Sequence, residues 1–142
     1  MTRVYWDSML FIYLLEANPA FGPKVRRILN QIARRGDVAI CTSVFSIGEI
    51  LTGPRKRGSI SGVDAVKNYF LSGAVEILPF NEATADRYSI IRAVNRVSQA
   101  DGIQLASAAE IGADIFFTND ADLRKLAIPG IKFFADLDGA VI

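Results

Sequence analysis

Five short apolar runs, separated by stretches of helical length, constrain the fold of this chain more than any other feature. The runs are continuous rather than alternating, which is typical of strands buried on both faces of a sheet. Parallel strands need a crossover connection, usually a helix. The sequence therefore predicts a three-layer α/β/α fold around a central parallel five-stranded sheet. The predicted strands are residues 4–6, 38–41, 75–78, 115–117 and 131–134.

The stretches between these runs carry helix signals. In one of them Tyr88, Ile91 and Val94 recur at helical spacing and are expected to face inward. Gly53 and Pro54 are expected to stop an earlier helix and to leave a basic connection after it. The predicted helices are residues 9–15, 22–35, a segment from a cap at Thr42 or Ser43 to about Leu51, and residues 61–72, 82–97 and 99–111.

The length of 142 residues predicts a single domain that covers residues 1–142. No internal repeat or low-complexity tract divides the chain, and an apolar fraction of 51% suffices for one core. The apolar run at residues 9–15 is too short for a membrane span and lacks the cleavage site of a signal peptide. We therefore expect a cytoplasmic protein without membrane association.

The absence of histidine limits the chemistry that this chain can perform. Ser-His-Asp and Cys-His catalysis are excluded, as is zinc held by histidine. The single cysteine, Cys41, cannot form an internal disulfide, which favours a reducing compartment. A metal would need oxygen ligands, which favours Mg²⁺, Mn²⁺ or Ca²⁺. The net charge of +1 excludes a uniformly basic surface, so a polyanion would need a local basic patch.

Four acidic residues follow predicted strands or begin the helices after them. Asp7 comes directly after the first strand, and Glu49 lies about two turns into the helix after the second. Asp101 is in the first turn of a later helix, and Asp120 follows the fourth strand. Ligands of open α/β sheets bind beyond the carboxyl ends of the strands. The four side chains could therefore converge at one end of the sheet.

Each of these residues also has a purely structural explanation. Asp7 could cap the helix at residues 9–15, and Glu49 could be a solvated helix residue. Asp101 fits a variant of the capping box, and Asp120 fits an Asx turn. Taken singly, the structural explanations are the better ones. Taken together, four acids that meet without a cation would repel one another, which favours a metal site.

Three stretches resemble the motifs of PIN domains and follow the family's order. Residues 4–16 resemble the opening of the domain, and residues 43–51 resemble a second motif centred on an acid. Residues 101–123 are similar to the third and fourth motifs joined, and they are the most specific of the three. The short single domain resembles in particular the VapC-type toxin of a VapBC toxin–antitoxin pair.

The resemblance implies a metal-dependent endoribonuclease that uses one or two Mg²⁺ or Mn²⁺ ions. It also implies a VapB-type antitoxin as partner, whose tail would cover the acidic groove, and a homodimer formed through residues 9–35 or 60–70. The implied catalytic and metal-binding residues are Asp7, Glu49, Asp101 and Asp120, with Ser8 and Thr118 in support.

The sequence departs from the family pattern at three positions that are not acidic. Met9 stands where many relatives have a small or polar residue, Gly102 where alanine is usual, and Leu123 where phenylalanine is frequent. None of these departures removes a carboxylate.

Binding of an RNA backbone would require positive charge near the acidic residues. The first candidate is the basic run of Arg55, Lys56 and Arg57. The second is the outer face of residues 22–35, which carries Lys24, Arg27, Arg34 and Arg35. A solvated turn and a solvated helix face explain these residues equally well.

Other functions remain open at this point. Within the family, the chain could be a stand-alone PIN nuclease in RNA processing or a non-catalytic RNA-binding PIN domain. A phosphoacceptor receiver domain would require an acid pair after the first strand, where only Asp7 is present. A dinucleotide-binding or P-loop domain would require a glycine-rich phosphate loop, which the sequence lacks.

Overall fold

A five-stranded, all-parallel sheet forms the centre of the computed structural model, which describes residues 1–139. The strand order is β3-β2-β1-β4-β5, so β1 is the central strand. Because all strands run in the same direction, their carboxyl ends lie at one edge of the sheet. The strands are β1 (Thr2–Trp6), β2 (Val38–Ser43), β3 (Val75–Leu78), β4 (Ile115–Phe117) and β5 (Phe133–Ala135).

Six α-helices connect and cover these strands in the described part of the chain, so the predicted three-layer α/β/α fold is confirmed. A short 3₁₀ turn, Leu123–Lys125, lies between β4 and β5. Over residues 1–139, no helix is long and apolar enough to cross a bilayer. The helices are α1 (Ser8–Leu15), α2 (Gly22–Arg35), α3 (Val44–Lys56), α4 (Ile60–Leu71), α5 (Glu82–Val94) and α6 (Gln99–Glu110).

Two hydrophobic cores pack against opposite faces of the sheet. Successive strand residues point to opposite faces, and on β1 both Tyr5 and Trp6 are fully buried. Trp6 packs with Phe11 in the core beneath α1 to α4, with their ring centroids 5.1 Å apart. Tyr5 stacks on Phe116, at a centroid distance of 5.0 Å, in the core beneath α5 and α6. The strand that ends at Asp7 is therefore held from both sides.

The prediction that Gly53 and Pro54 stop the third helix is wrong, because α3 continues to Lys56. Proline removes one helical hydrogen bond. Pro54 is nevertheless buried and packs against Gly62 of α4. The basic run that begins at Arg55 therefore lies in the last turn of a helix rather than in a loop.

The end of α5 and the start of β5 also differ from the prediction. The helix ends at Val94, where the Asn95 amide and side chain both donate to the carbonyl of Ile91. Val94 is 77% exposed, so the prediction that it faces inward is wrong, whereas Ile91 is buried as expected. The fifth strand begins at Phe133, because the amide of Ile131 is bonded within a turn.

We predict that Gly130→Ala destabilises the fold more than Gly36→Ala. Both glycines have positive φ, which costs an alanine about 1–2 kcal/mol. A Cβ at Gly130 would also lie 2.6 Å from the carbonyl oxygen of Ala109, whereas one at Gly36 would meet no atom within 4 Å. We expect Gly130→Ala to lower the free energy of unfolding by about 1–3 kcal/mol more than the control, measured by urea denaturation. Equal losses would contradict the close packing described.

Candidate active site

Asp7 directly follows β1 and caps α1, so its backbone position is fixed by both elements. Its Oδ1 accepts a hydrogen bond from the amide of Met9 at 3.1 Å, as an N-cap residue does. Its Oδ2 accepts a hydrogen bond of 2.6 Å from the hydroxyl of Thr118, which is fully buried at the end of the neighbouring strand β4. Asp7 thus has the structural capping role, and its carboxylate is also oriented from the adjacent strand.

Glu49 projects from α3 towards the same end of β1. The hydroxyl of Ser8 donates a hydrogen bond to its Oε1, and the side-chain amide of Gln104 donates to the same atom at 2.8 Å. Glu49 is half-buried, so it is not the fully solvated helix residue that the sequence alone allowed. Two side chains from other helices therefore hold this carboxylate in place.

Asp101 lies in the first turn of α6, where its amide donates to the hydroxyl of Ser98 at 3.1 Å. Burial raises the pKa of the Asp101 carboxyl above its usual range. Hydrogen bonding of the carboxyl with the Ser98 side chain opposes this shift in the pKa, and the charges of Asp120 and Glu49 increase it. The carboxylates of Asp120 and Glu49 are thus near enough to Asp101 for their charges to act on it.

Asp120 is joined to Asp7 through a shared partner. Its amide donates to the hydroxyl of Thr118 at 3.1 Å, and the same hydroxyl donates to Asp7. Its Oδ1 accepts hydrogen bonds from the amides of Asp122 and Leu123, at 2.8 and 3.3 Å. Asp120 therefore forms the Asx turn that the sequence allowed and also contributes negative charge to the site.

The four acidic side chains form one negatively charged cluster that the protein does not neutralise. Burial raises the pKa of Asp7 to about 6, and the nearby charge of Asp101 adds to the shift. The hydrogen bond from Thr118 and those from the α1 backbone act in the opposite direction. Within residues 1–139, none of the four acids forms an ion pair with a lysine or arginine. The arrangement therefore favours a cation from outside the chain.

The donor set of this cluster fits a hard divalent cation. All available ligand atoms are carboxylate oxygens, which Mg²⁺ and Mn²⁺ prefer. Among the described residues, no group of three or more acidic side chains lies close enough together to hold a metal ion without other ligands. Mg²⁺ usually binds through one or two carboxylates, several waters and substrate phosphates rather than in such a cage.

Gln104 connects the candidate site to the core, and sequence reasoning missed it. Its side chain is only 3% exposed. Its Oε1 accepts hydrogen bonds from the hydroxyls of Tyr5 and Ser46, and its Nε2 donates to Ser8 at 2.7 Å and to Glu49 at 2.8 Å. A primary amide has two donors and two acceptor lone pairs, so its hydrogen-bonding capacity is fully used.

One sequence signal could have pointed to Gln104. It is the one residue with a polar amide in an otherwise small or apolar stretch of α6, residues 102–109, and it lies one helical turn after Asp101. Residues three apart share a helix face. A polar residue on the same face as a candidate metal ligand, within a buried segment, is expected to bond to the site.

The predicted basic residues have no contact with the four carboxylates in the part of the chain described. Arg55 and Lys56 are exposed, and Arg57 pairs with Glu16 at 3.3 Å. Lys56 lies seven residues after Glu49 on the same helix, so it shares that face about 10 Å further along the axis. The run therefore lies on the same helix as part of the acidic cluster, but beyond contact distance from it.

The second basic face, on α2, is largely engaged by contacts within the protein. Arg34 is exposed. The contacts of the others are an ion pair of Lys24 with Asp138 at 2.7 Å, a hydrogen bond from Arg27 to the Leu137 carbonyl at 2.9 Å, and an ion pair of Arg35 with Asp37 at 3.2 Å. This face is therefore the weaker of the two candidates.

Comparisons with known proteins agree with this architecture. A family model described as PIN domain matches residues 4–129. No curated protein matches the chain. The structure is similar to that of VapBC2 from Rickettsia felis bound to a promoter DNA fragment, with a TM-score of 0.76 and 17% identity over 95% of this chain and 98% of that one.

Two further solved structures show the same likeness. DNA-bound VapBC from Salmonella typhimurium has a TM-score of 0.72 and 24% identity, over 96% of this chain and 99% of that one. Mycobacterium tuberculosis VapC20, described as a toxin that cleaves the sarcin–ricin loop, has a TM-score of 0.72 and 16% identity, over 89% and 97%. At these identities the likeness shows a common fold.

We predict that Asp7→Asn stabilises the metal-free protein at neutral pH but not in acid. The pKa of Asp7 in the folded protein is raised to about 6 from 3.8, so ionisation costs folding free energy as the pH rises through that value. Asparagine is also a good N-cap residue. At about pH 7.5 we expect a gain of about 1–2 kcal/mol in the free energy of unfolding, measured by urea denaturation in EDTA.

Below about pH 3 the carboxyl is protonated in both the folded and the unfolded state, so the gain should vanish there. Asp64→Asn, which makes the same substitution at an exposed position of α4 outside the cluster, serves as the matched control. A gain that is the same at both pH values would rule out the ionisation of Asp7 as its cause.

We predict that Gln104→Leu destabilises the protein far more than Gln99→Leu on the same helix. Leucine leaves the hydroxyls of Tyr5 and Ser46 and the carboxylate of Glu49 without this partner. Gln99 is exposed. The loss in the free energy of unfolding should be about 2–4 kcal/mol at Gln104 and within about 0.5 kcal/mol at Gln99, measured by urea denaturation. Similar small losses in the free energy of unfolding at both positions would mean that the hydrogen bonds of Gln104 contribute little to stability.

Proposed function

Because this chain belongs to the PIN domain family, we propose that it is a metal-dependent endoribonuclease that hydrolyses phosphodiester bonds in RNA. The observation that carries the proposal is the cluster of Asp7, Glu49, Asp101 and Asp120 at the carboxyl end of the sheet, with no cation from the described chain to balance it. Assembling such a cluster costs free energy. A bound divalent cation offsets that cost and gives the cluster a chemical use.

The four carboxylates would hold Mg²⁺ or Mn²⁺, directly or through water. When bound, the ion supplies an activated water as nucleophile and stabilises the charge that develops on the phosphate. Asp7 has to lose its proton to bind a cation, so its raised pKa of about 6 makes cation binding weaker in acid.

The other residues of the site orient these carboxylates. Thr118 links Asp7 to the Asp120 backbone, and Ser8 and Gln104 fix Glu49. Residues that hold metal ligands in this way tune their orientation and basicity. Because the chain contains no histidine, proton transfer during hydrolysis falls to water and to the carboxyl groups.

We further propose that the protein is the toxin of a type II toxin–antitoxin pair and acts in the cytoplasm. The support is its likeness to solved VapBC structures. In each of these comparisons, the matched residues make up nearly all of this chain and nearly all of the other chain. The same coverage supports one PIN domain over residues 1–142. The partner would be a VapB-type antitoxin, of which a basic segment would cover the acidic cluster. In α4, Ile60 and Leu71 are 79% and 82% exposed, which supports a homodimer formed through this helix.

Cleavage of a labelled structured RNA by the purified protein tests the proposed activity. We expect cleavage with Mg²⁺ or Mn²⁺, none in EDTA, and a loss of roughly 100-fold or more in Asp7→Asn and in Asp101→Asn, because the metal supplies several kcal/mol of transition-state stabilisation. Asp64→Asn, which changes an exposed carboxylate outside the cluster, should cut like the wild type.

Equal activity in the wild type and in Asp7→Asn would identify a contaminating nuclease and overturn the proposal. Failure to cut any RNA in the presence of metal would favour a non-catalytic RNA-binding PIN domain.

A further inference from the structure

An exposed aromatic and cationic cluster lies beside the acidic site. Phe80 follows the carboxyl end of β3, and its ring lies edge-on to that of Tyr88 on α5, with centroids 6.3 Å apart. One turn further along α5, the Arg92 guanidinium lies 5.7 Å from the centre of the Tyr88 ring, and its Nη1 donates to the Tyr88 hydroxyl at 2.8 Å. We call these three residues the aromatic–arginine platform.

The platform is packed against the residue that follows Asp101. An ideal Cβ on Gly102 would lie 2.9 Å from Cδ of Arg92 and 2.9 Å from Cε2 of Tyr88. These two side chains therefore occupy the space where any larger residue would place its side chain. The platform adjoins the first turn of α6, from which Asp101 projects into the acidic site.

The outer groups of the platform are accessible. Phe80 is 39% exposed, and Arg92 is exposed. Within residues 1–139, Arg92 pairs with no carboxylate. A guanidinium has five N–H donors, of which one is used on the Tyr88 hydroxyl. Tyr88 contacts both Phe80 and Arg92 and so orients them. A face of the Phe80 ring and the other donors of the Arg92 guanidinium remain available to a ligand.

We propose that the aromatic–arginine platform binds a single-stranded nucleotide of the RNA substrate next to the phosphate at the acidic site. A base would stack on the ring of Phe80, and Arg92 would contact the phosphate of the same nucleotide. Aromatic rings and guanidinium planes are the groups that bind unstacked RNA bases, and arginine also neutralises the backbone. This assignment rests on the proposed function, since it places the platform along the path of a bound RNA.

The chemistry of the neighbouring residues favours RNA as the occupant of the platform. A basic protein segment, such as that of the proposed antitoxin, would be attracted by the acidic cluster but repelled from the platform by Arg92. An RNA chain with one phosphate held through a cation at the carboxylates needs a positive group for the next phosphate and a surface for its base. The platform supplies both within one turn of Asp101.

Direct binding measurements test this proposal without depending on cleavage. The probe is a fluorescently labelled, single-stranded RNA pool of random sequence, titrated with protein that carries Asp7→Asn to prevent hydrolysis. In this background Phe80→Ala and Arg92→Gln should each weaken binding roughly 5- to 100-fold. Phe80→Tyr keeps the aromatic ring and should bind nearly as well as the parent.

Phe133→Ala is the matched control. Phe133 is 68% exposed and begins β5, at the opposite end of the sheet from the acidic site. Its replacement should leave the affinity unchanged. Irradiation of a complex with iodouridine-substituted RNA gives a second readout, because this base forms crosslinks with rings on which it stacks. The crosslinked peptide should contain Phe80 or Tyr88.

The outcomes separate this proposal from the proposed function. If the wild type cuts RNA but Phe80→Ala and Arg92→Gln bind RNA like the parent, the platform is wrong and the nuclease stands. If both variants lose affinity while the wild type cuts no RNA, the platform stands and the nuclease is wrong. No binding of the pool, a crosslink elsewhere, or an equal loss in Phe133→Ala would overturn the platform.

Discussion

A primary amide without access to water must find partners for two donors and two acceptors inside the protein, and the way Gln104 does so determines the geometry around it. Its partners come from β1, α1 and α3, while it belongs to α6. Leaving any of these groups unpaired would cost about 1–3 kcal/mol. The core beneath α6 and the carboxylate of Glu49 are therefore fixed by the same side chain, so that a change in packing also changes the site.

At Gln104 every polar group has a partner, whereas the interactions within the acidic cluster are unfavourable for folding. Burial and the charge of Asp101 raise the pKa of Asp7, while Thr118 and the start of α1 stabilise its ionised form. Perturbed groups of this kind concentrate at functional sites. The rigid hydrogen bonds beneath the carboxylates allow the repulsion to persist without displacing them. The burial and mutual repulsion of these carboxylates therefore lower the stability of the fold, and a cation of the kind proposed would offset this loss.

Sequence periodicity was sufficient for the sheet and for most helices, because apolar runs and helical spacing report burial directly. It was insufficient where a single contact overrides the local preference. Pro54 stays within α3 because it is buried against α4. The helix α5 ends early because the backbone of Asn95 is extended, and the Asn95 side chain caps the Ile91 carbonyl. The positions of the acids followed from the parallel topology. Gln104 did not, since its role depends on partners far away in sequence.

The departure from the family pattern at Gly102 has a structural explanation, which is the contact between α6 next to Asp101 and the aromatic–arginine platform. Without a side chain at this position, Tyr88 and Arg92 can approach the backbone of α6 next to Asp101. Alanine would force both to move outward by a few tenths of an ångström or more, because its Cβ would lie 2.9 Å from each. The acidic residues, with the hydrogen bonds that support them, give the site its negative charge. Because Gly102 has no methyl group, Tyr88 and Arg92 can occupy the space next to these acidic residues.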